Sequence, residues 1–431
     1  MKRKLLSLII LTLIFSTFTL TTQAQGFTVS NASELINAIN TANINGQDDV
    51  ITFTSDITLT TLNNTTNGLN GLPIILDDGG RTITIKGSGF TLNRAGTAPN
   101  FRLFHVITGG TLAINNLTIQ NGNALDGGGI YNLGNLRISY SQIINNTATN
   151  GGGISSVNDT IQISNSIISG NTASNSGGGI YLSNSITSIE NTTISNNMAG
   201  VDGGGIYTNP DGQSTFANVT ISENQATRDG GGFYSINALN VLTNVTVSDN
   251  QAGVDGGGIY IYANSSSLYN TTISGNRANI LGGGLYVRDA TAFLRNNIIS
   301  GNTIAPATPD CYFIGSTTTA TNNIFGVNND AGGCPSGGTN IVPSAGVLIA
   351  DILLPLANNG GAITTQTTGV DVTAYQARTT RAWQVQNTGS VGAVNVKFDG
   401  SWAGYDLIQD TVDGNFGDGA NETVLGTLDA N

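Results

Sequence analysis

The chain has 431 residues and carries 15 basic against 27 acidic side chains, a formal net charge of −12. A duplex phosphate backbone would repel so acidic a chain, which excludes nucleic acid as a partner. Only 10% of the residues are charged whereas 58 are glycine, so Asn, Ser and Thr must supply most of the polar surface.

Residues 1–24 predict a secretory signal peptide. Three basic residues open it, an apolar run continues to Leu20, and Thr22 and Ala24 place small residues at positions −3 and −1 of a cleavage site. A membrane anchor is the alternative, but the run is short and no charged residue stops it. Cleavage removes three basic residues and no acidic one, leaving 12 basic and 27 acidic side chains, a net charge of −15. We therefore expect an exported mature chain without a transmembrane segment.

Residues 25–60 predict an N-terminal cap and a first strand. Asn31 is a helix N-cap with Glu34 at the N3 position. The apolar face that follows predicts an amphipathic helix over 32–43, which Gly46 ends and which plugs the first coil of the fold. The first strand is expected at Asp49–Phe53.

A repeat of 24 to 27 residues occupies the middle of the chain. Its clearest mark is a glycine triplet followed by an aliphatic residue or Phe and usually by Tyr; the triplets start at Gly127, Gly151, Gly177, Gly203, Gly230, Gly256 and Gly282. A second motif, N-x-x-[IV]-S-x-N, keeps the same interval, as in NVTISEN and NTTISGN. A constant period of this length predicts a repeat architecture.

The composition of the repeat decides between architectures. Gly, Asn, Thr and Ser disfavour helix interiors, while apolar residues alternate over short β-branched stretches such as LRIS and IQIS. Units of ~26 residues are too short for propeller blades, but they give three short strands and turns, one circuit of a parallel β-helix. We predict an all-β, right-handed parallel β-helix over 61–345, of about eleven coils and ~50 Å in length.

The motifs resemble those of a known family. GGGIY paired with I-S-x-N resembles the repeat of polymorphic outer-membrane proteins, with a third Gly for Ala and with Ile or Val for Phe, over about 119–302. ITIKGSG and GGTLAINNLTIQN resemble the early coils of pectate-lyase-like β-helices. The resemblance implies a β-helix that is extracellular or at the cell surface or outer membrane of a bacterium.

Stacked coils place equivalent residues above one another. Two asparagine columns are then expected to form amide ladders: Asn191, Asn218, Asn244, Asn270 and Asn296, and Asn197, Asn224, Asn250, Asn276 and Asn302. The tyrosine after each inward aliphatic residue should face outward, which gives an exposed aromatic row as the candidate ligand-binding surface for sugars or proteins: Tyr181, Tyr207, Tyr234, Tyr260 and Tyr286. The alternative, which we favour, is a self-stacked ladder that stiffens the sheet.

Aspartates precede several glycine triplets. Asp202, Asp229 and Asp255 should stack on successive coils, where like charges ~5 Å apart need a cation, solvent or backbone N–H groups. One interpretation is a Ca²⁺ ladder, so these three are the candidate metal ligands; otherwise we expect no cofactor. We favour aspartate as a turn residue that caps its own backbone.

Enzymatic activity is the alternative to a structural or adhesive role, because many β-helices cleave polysaccharides. Such lyases use a carboxylate cluster for Ca²⁺ and a basic residue, but basic residues are few in the late coils: Arg228, Arg277, Arg288 and Arg295. Arg228 and Arg277 occupy variable slots of the repeat. No Asp-Asp pair lies in the array, and the lone His105 is better explained by packing than by chemistry. We therefore assign no catalytic residue.

The end of the repeat is marked by two cysteines. Cys311 and Cys334 are 23 residues apart, nearly one coil, so we expect a disulfide between adjacent late coils. Residues 346–369 resemble a stretch that follows such β-helices in bacterial surface proteins, and residues 370–431 predict a small β-rich module. No closing element is apparent before Asn431, which leaves open that the sequence is a fragment.

Together these features predict a secreted or cell-surface β-helix protein with a structural or adhesive role. Its repetitive faces would contact an extracellular polysaccharide or a surface protein of a host or neighbouring cell. The alternative is a lyase-like or hydrolase-like enzyme that acts on extracellular glycans.

Overall fold

A computed structural model describes residues 24–263, 265–304, 310–326, 333–335 and 337–340, together with the backbone of six strands further along the chain. The signal peptide prediction falls on residues 1–24 and therefore lies almost wholly outside the described residues. No helix in the described part of the chain is long and apolar enough to cross a membrane.

The chain forms a parallel β-solenoid of about eleven turns, as predicted. Within the described residues each regular coil contributes one strand to each of four parallel sheets. We number the sheets 1 to 4 in the order in which the chain passes through them within a coil, starting with the longest sheet. The prediction of three strands in each coil was wrong, because sheet 3 consists mostly of two-residue strands that leave no alternating pattern in the sequence.

Sheet 1 has five-residue strands that alternate between inward and outward side chains. Its strands are Gln25–Val29, Asp49–Phe53, Thr82–Lys86, Thr111–Asn115, Asn135–Ser139, Thr160–Ser164, Ile186–Glu190, Gln213–Ala217, Leu239–Thr243, Ser265–Tyr269, Thr291–Arg295 and Thr317–Thr321. The strand at Asp49–Phe53 was predicted. The sequence did not predict the one before it, which pairs with it in parallel across the cap helix.

Sheets 2 and 3 follow sheet 1 within each coil. Sheet 2 consists of Ile57–Leu59, Thr91–Arg94, Thr118–Gln120, Gln142–Ile144, Ile167–Ser169, Thr193–Ser195, Thr220–Ser222, Thr246–Ser248, Thr272–Ser274, Ile298–Ile299 and Ile324–Phe325. Sheet 3 consists of Asn123–Asp126, Thr147–Asn150, Thr172–Ala173, Met198–Ala199, Gln225–Ala226, Gln251–Ala252, Arg277–Ala278 and Thr303–Ile304.

Sheet 4 follows the glycine triplets and completes the coil. Its strands are Phe104–Val106, Ile130–Asn132, Ile154–Val157, Ile180–Ser183, Ile206–Asn209, Phe233–Ile236, Ile259–Tyr262, Leu285–Arg288 and Cys311–Ile314. Ile206 pairs with Phe233 and Phe233 with Ile259, all of them 0% exposed. Residues one repeat apart therefore lie over one another along a continuous apolar core.

The three glycines of a triplet meet two different structural requirements. Gly203 has φ +64°, a backbone conformation that side chains disfavour. A Cβ on Gly205 would lie 2.6 Å from the carbonyl oxygen of Gly232 in the next coil, which is too close for any side chain. The first glycine makes the turn, and the other two let successive turns approach.

The N-terminal cap is the helix Ala32–Ala42. The Asn31 Oδ1 accepts the Glu34 backbone N–H at 3.0 Å, and the Glu34 carboxylate returns to the Ser30 backbone N–H at 2.7 Å, so the predicted cap forms. The helix ends at Ala42, four residues before Gly46, with Asn43 as its C-cap, and it buries Leu35 against the first strands.

Beyond the solenoid, the described backbone forms three antiparallel strand pairs. They are Leu353–Ala357 with Thr365–Thr368, Thr373–Ala377 with Thr380–Gln384, and Tyr405–Asp410 with Glu422–Leu428. The intervening segments of the predicted C-terminal module lie outside the described residues.

Candidate functional site: side-chain ladders and an outer groove

The tyrosine column forms a continuous ladder on sheet 4. Neighbouring rings stack with centroids 4.8–5.6 Å apart and planes within 13° of each other. The six members are Tyr181, Tyr207, Tyr234, Tyr260, Tyr286 and Tyr312, the last of which the sequence prediction did not include. Ser155 takes the place of a ring between Tyr131 and Tyr181, so Tyr131 stands apart.

The expectation of an exposed aromatic row was wrong for the middle of this column. Tyr234, Tyr260 and Tyr286 are 5–6% exposed, because each ring covers the faces of its neighbours. Burial raises the pKa of Tyr207 to about 12, and burial likewise raises the pKa of Tyr234. A sugar ring cannot stack on a face that another ring already occupies, so the geometry matches the self-stacked ladder.

The aspartate row stacks on successive coils, as predicted. The Asp229 backbone N–H donates to Asp202 Oδ1 at 3.3 Å, and the Asp255 backbone N–H donates to Asp229 Oδ1 at 3.1 Å. Each of these two carboxylates thus caps the turn of the coil that follows it. Burial, reinforced by the charges of Asp202 and Asp255, raises the pKa of Asp229 to about 6.

The guanidinium of Arg228 lies against the aspartate row. The Arg228 Nε donates to Asp202 Oδ1 at 2.9 Å, its Nη2 contacts Asp202 Oδ2, and its Nε lies 3.4 Å from Asp229 Oδ2. The Asp202 side chain is 4% exposed, whereas that of Arg228 is 53% exposed. The guanidinium therefore covers a nearly buried carboxylate from the solvent side, and the hydrogen bond to Asp202 raises the pKa of Arg228.

The contacts of the aspartate row can be compared with those that a Ca²⁺ site needs. Ca²⁺ requires six to eight oxygen ligands. Across the described ranges, no group of three or more His, Cys, Asp or Glu side chains is placed to hold a metal ion. A Ca²⁺ at Asp202 would also have to displace Arg228. The geometry favours a turn role for Asp202 and Asp229, although each caps the backbone of the next coil and not its own backbone as expected. The calcium site stays an untested prediction.

Two asparagine ladders form as the repeat predicted. In the inner one, the Asn224 Nδ2 donates to Asn250 Oδ1 at 2.9 Å and the Asn250 Nδ2 donates to Asn276 Oδ1 at 2.9 Å. In the outer one, the Asn244 Nδ2 donates to Asn218 Oδ1 at 3.0 Å. The inner side chains are at most 1% exposed, so they satisfy backbone that water cannot reach.

The inner ladder ends on a carboxylate that the sequence analysis missed. The Asn302 backbone N–H and Nδ2 donate to Asp310 Oδ1 at 2.7 and 2.8 Å. Burial raises the pKa of Asp310 to about 7. Asp310 follows Asn302 by eight residues instead of 26, so the period could not reveal it.

The first coils carry a buried cluster where the repeat is irregular. The Arg102 side chain is 1% exposed and donates to the carbonyl oxygens of Asp126 at 3.1 Å and Asn67 at 2.9 Å. Its guanidinium lies 4.8 Å from the Tyr131 ring centroid. Burial is the main cause that lowers the pKa of His105 to about 4, and the charge of Arg102 lowers it further, whereas the Thr66 backbone opposes this shift. His105 is 1% exposed and therefore packed in the interior, as predicted.

A disulfide joins Cys311 to Cys334, with Cα atoms 4.9 Å apart. Cys311 is 0% exposed and stacks on Leu285 in sheet 4. The bond attaches residues 333–335 to the last described coil. Asn297, Asn323 and Asn340 form a third, shorter ladder: the Asn297 Nδ2 donates to Asn323 Oδ1 at 3.0 Å, and the Asn323 Nδ2 donates to Asn340 Oδ1 at 2.9 Å.

The structure shows a surface groove that the sequence analysis did not predict. It lies on the outer face of sheet 1, has a volume of about 360 Å³ and crosses four successive strands. Its outward side chains come from positions that differ from coil to coil, among them Ile186, Gln213 and Leu239. None of the lining residues is ionisable.

The comparisons with known protein families identify two segments. Residues 165–183, 191–209, 218–236 and 244–262 are similar to the Chlamydia polymorphic membrane protein repeat. Residues 350–431 match a domain of unknown function, DUF8202. No curated protein matches the sequence.

Two solved structures are similar in fold. Pectate lyase Pel9A has 12% identity and a TM-score of 0.40, covering 88% of this chain and 95% of its own. The Azotobacter vinelandii mannuronan C-5 epimerase AlgE4 A-module has 11% identity and a TM-score of 0.40, covering 74% of this chain and 98% of its own. Likeness at this level carries nothing about activity.

Proposed function

We propose that the chain is an exported, cell-surface structural and adhesive β-helix protein that presents repetitive faces to an extracellular polysaccharide or surface protein. One observation carries the proposal: parallel in-register pairing turns every outward position into a row along the solenoid axis, as in Gln162, Ser188, Thr215 and Val241. Such rows offer one partner several equivalent contacts, and multiple weak contacts yield strong retention.

The side-chain ladders and the disulfide support a structural role. Stacked tyrosines, paired amides and a disulfide at the late coils make a stiff rod. Similarity to polymorphic membrane protein repeats supports a surface location. Asp202 and Asp229 are engaged by backbone N–H groups and Arg228, so these two carboxylates are not free for lyase chemistry.

The test has two parts. Antibodies against the solenoid should label intact cells of the source organism. Beads coated with the mature chain should be retained on immobilised glycans or on neighbouring cells, and the glycan should remain uncut. Appearance of new chain ends, abolished by Arg277→Ala, would establish the enzymatic alternative instead. Absence of both labelling and retention would refute the proposal.

A further inference from the structure

The groove on sheet 1 has a defined chemical pattern. Along one row the side chains are Ile186, Gln213 and Leu239, and along the next they are Ser188, Thr215 and Val241. Ile186 and Leu239 are 64% and 52% exposed, so two aliphatic ridges flank an amide. The ridges are two coils, ~10 Å, apart, with the small side chain of Ser188 beside them.

The groove is uncharged although the chain is strongly acidic. No ionisable side chain lines it, whereas the whole chain has a net charge of −12. Arg137 lies at one end of the groove, where its Nε donates to Gln162 Oε1 at 3.3 Å, but an acidic ligand would be repelled by the protein as a whole. Glu190 borders the groove, where its Oε1 accepts from the Ser188 hydroxyl at 3.4 Å, so the two charged neighbours have opposite signs and give a basic ligand no row of carboxylates to contact. The partner that fits this surface is therefore neutral.

The size of the groove favours a small ligand over a protein partner. Eleven residues line it, about half of the 20 to 30 that each partner contributes to a stable protein interface, so a second copy of the chain would not be held. The groove also lacks the Trp, Tyr and Arg side chains that dominate protein–protein binding energy. Its volume of about 360 Å³ falls within the usual range for small-ligand sites.

We propose, on the basis of the function proposed above, that this groove binds a segment of a neutral polysaccharide. The C–H faces of the sugar rings pack on Ile186, Leu239 and Val241. The hydroxyl groups of the sugar bond to Gln162, Gln213 and Thr215, because amides and hydroxyls both donate and accept hydrogen bonds, as sugar hydroxyls require. Binding at one groove is weak, and many copies on a surface supply retention.

The sequence offers a matched pair of variants for the test. Thr215 and Thr319 are both exposed and occupy the same outward row, four coils apart. Thr215→Arg places a bulky charge in the groove, and Thr319→Arg places the same charge outside it. The probes are the neutral hexasaccharides cellohexaose, laminarihexaose and mannohexaose, with hexagalacturonate as the acidic counterpart, titrated into the mature chain by NMR or calorimetry.

We expect at least one neutral hexasaccharide to bind, with an affinity that is independent of salt because no ion pair forms. Thr215→Arg should weaken binding at least tenfold, whereas Thr319→Arg should leave it unchanged. Gln213→Ala, a milder variant that keeps the backbone intact, should weaken binding about fivefold through one lost hydrogen bond.

Three results would overturn this proposal: equal binding by Thr215→Arg and the parent, preference for hexagalacturonate, or no binding of any neutral hexasaccharide. Circular dichroism of each variant shows whether it is folded, and Gln213→Ala decides the matter if Thr215→Arg is not. Should coated beads still adhere to cells while the groove variants have no effect, the adhesive function stands and the groove assignment fails.

Discussion

Removing one rung of the inner asparagine ladder should destabilise the solenoid far more than removing one rung of the outer ladder. The Asn250 side chain makes four hydrogen bonds of 2.9–3.0 Å: it donates to the Ile221 carbonyl and Asn276 Oδ1, and it accepts the backbone N–H and Nδ2 of Asn224. It is 1% exposed, so water cannot replace these partners.

The expected magnitude follows from the groups left behind. Asn250→Ala strands the Asn224 backbone N–H and the Ile221 carbonyl in the interior. An unsatisfied buried group costs about 1–3 kcal/mol, so the free energy of unfolding should fall by roughly 2–6 kcal/mol. Asn244→Gly is the matched control, because it removes an outer rung but keeps a residue that tolerates the φ of +55° there. Its ladder bonds are partly exposed, and it should cost about 1 kcal/mol or less.

The measurement is urea unfolding of both variants, combined with amide hydrogen exchange. Exchange is needed because repeat proteins can open a few coils at a time. We expect faster exchange in Asn250→Ala around the coils on either side, and little change in Asn244→Gly. If the two variants lose equal stability, the inner ladder does not act as the buried partner of the turn backbone.

Three further predictions concern charge and cross-linking. Arg228→Ala should lower the free energy of unfolding by about 1–3 kcal/mol, because the nearly buried Asp202 side chain loses its guanidinium partner. Adding Asp202→Asn should recover most of the loss in urea unfolding, and no recovery would contradict the pairing. Burial holds the pKa of His105 at about 4, below its unfolded value of ~6.5, so its stabilising contribution is complete above pH 6.5 and declines as the pH falls towards 4. His105→Phe should therefore lose about 2 kcal/mol less between pH 7.5 and 4.5 than the parent does, and parallel pH profiles would refute this. Cys334→Ala should speed hydrogen exchange in residues 310–326 and 333–335, and slow exchange there would show that the disulfide with Cys311 is dispensable.

The pH dependence has opposing contributions. Asp229 and Asp310 have pKa values raised to about 6 and about 7, above the unfolded value of ~3.9. Their protonated forms favour the folded state, so their contribution grows as the pH falls, opposite in sign to that of His105. Comparison of His105→Phe with the parent isolates the histidine, because both proteins carry the same aspartates.

Positions that face the same physical demand in every coil could be predicted from the sequence. Gly203 and its equivalents recur because each coil needs the same turn, and Ile206 recurs because each coil fills the same core. Asn224 recurs because each coil buries the same turn backbone. Periodicity therefore indicated the fold, the core column and both amide ladders.

Features that do not repeat could not be predicted in this way. The strand Gln25–Val29 has no repeat motif and is separated from its partner by the cap helix. The groove depends on variable positions such as Ile186 and Leu239, and the period carries no information about these. The tyrosines were correctly placed outward, but side-chain alternation alone does not say that Tyr234 is covered by its own neighbours.

The central claim is that residues one repeat apart lie directly over one another. Double electron–electron resonance between spin labels tests it most directly. Gln162, Thr215 and Thr319 share one outward row, with Thr319 four coils from Thr215 and six coils from Gln162. At ~4.8 Å per coil the distances from Thr319 should be ~19 and ~29 Å. Two distances that do not increase by ~5 Å per coil would contradict the stacked solenoid.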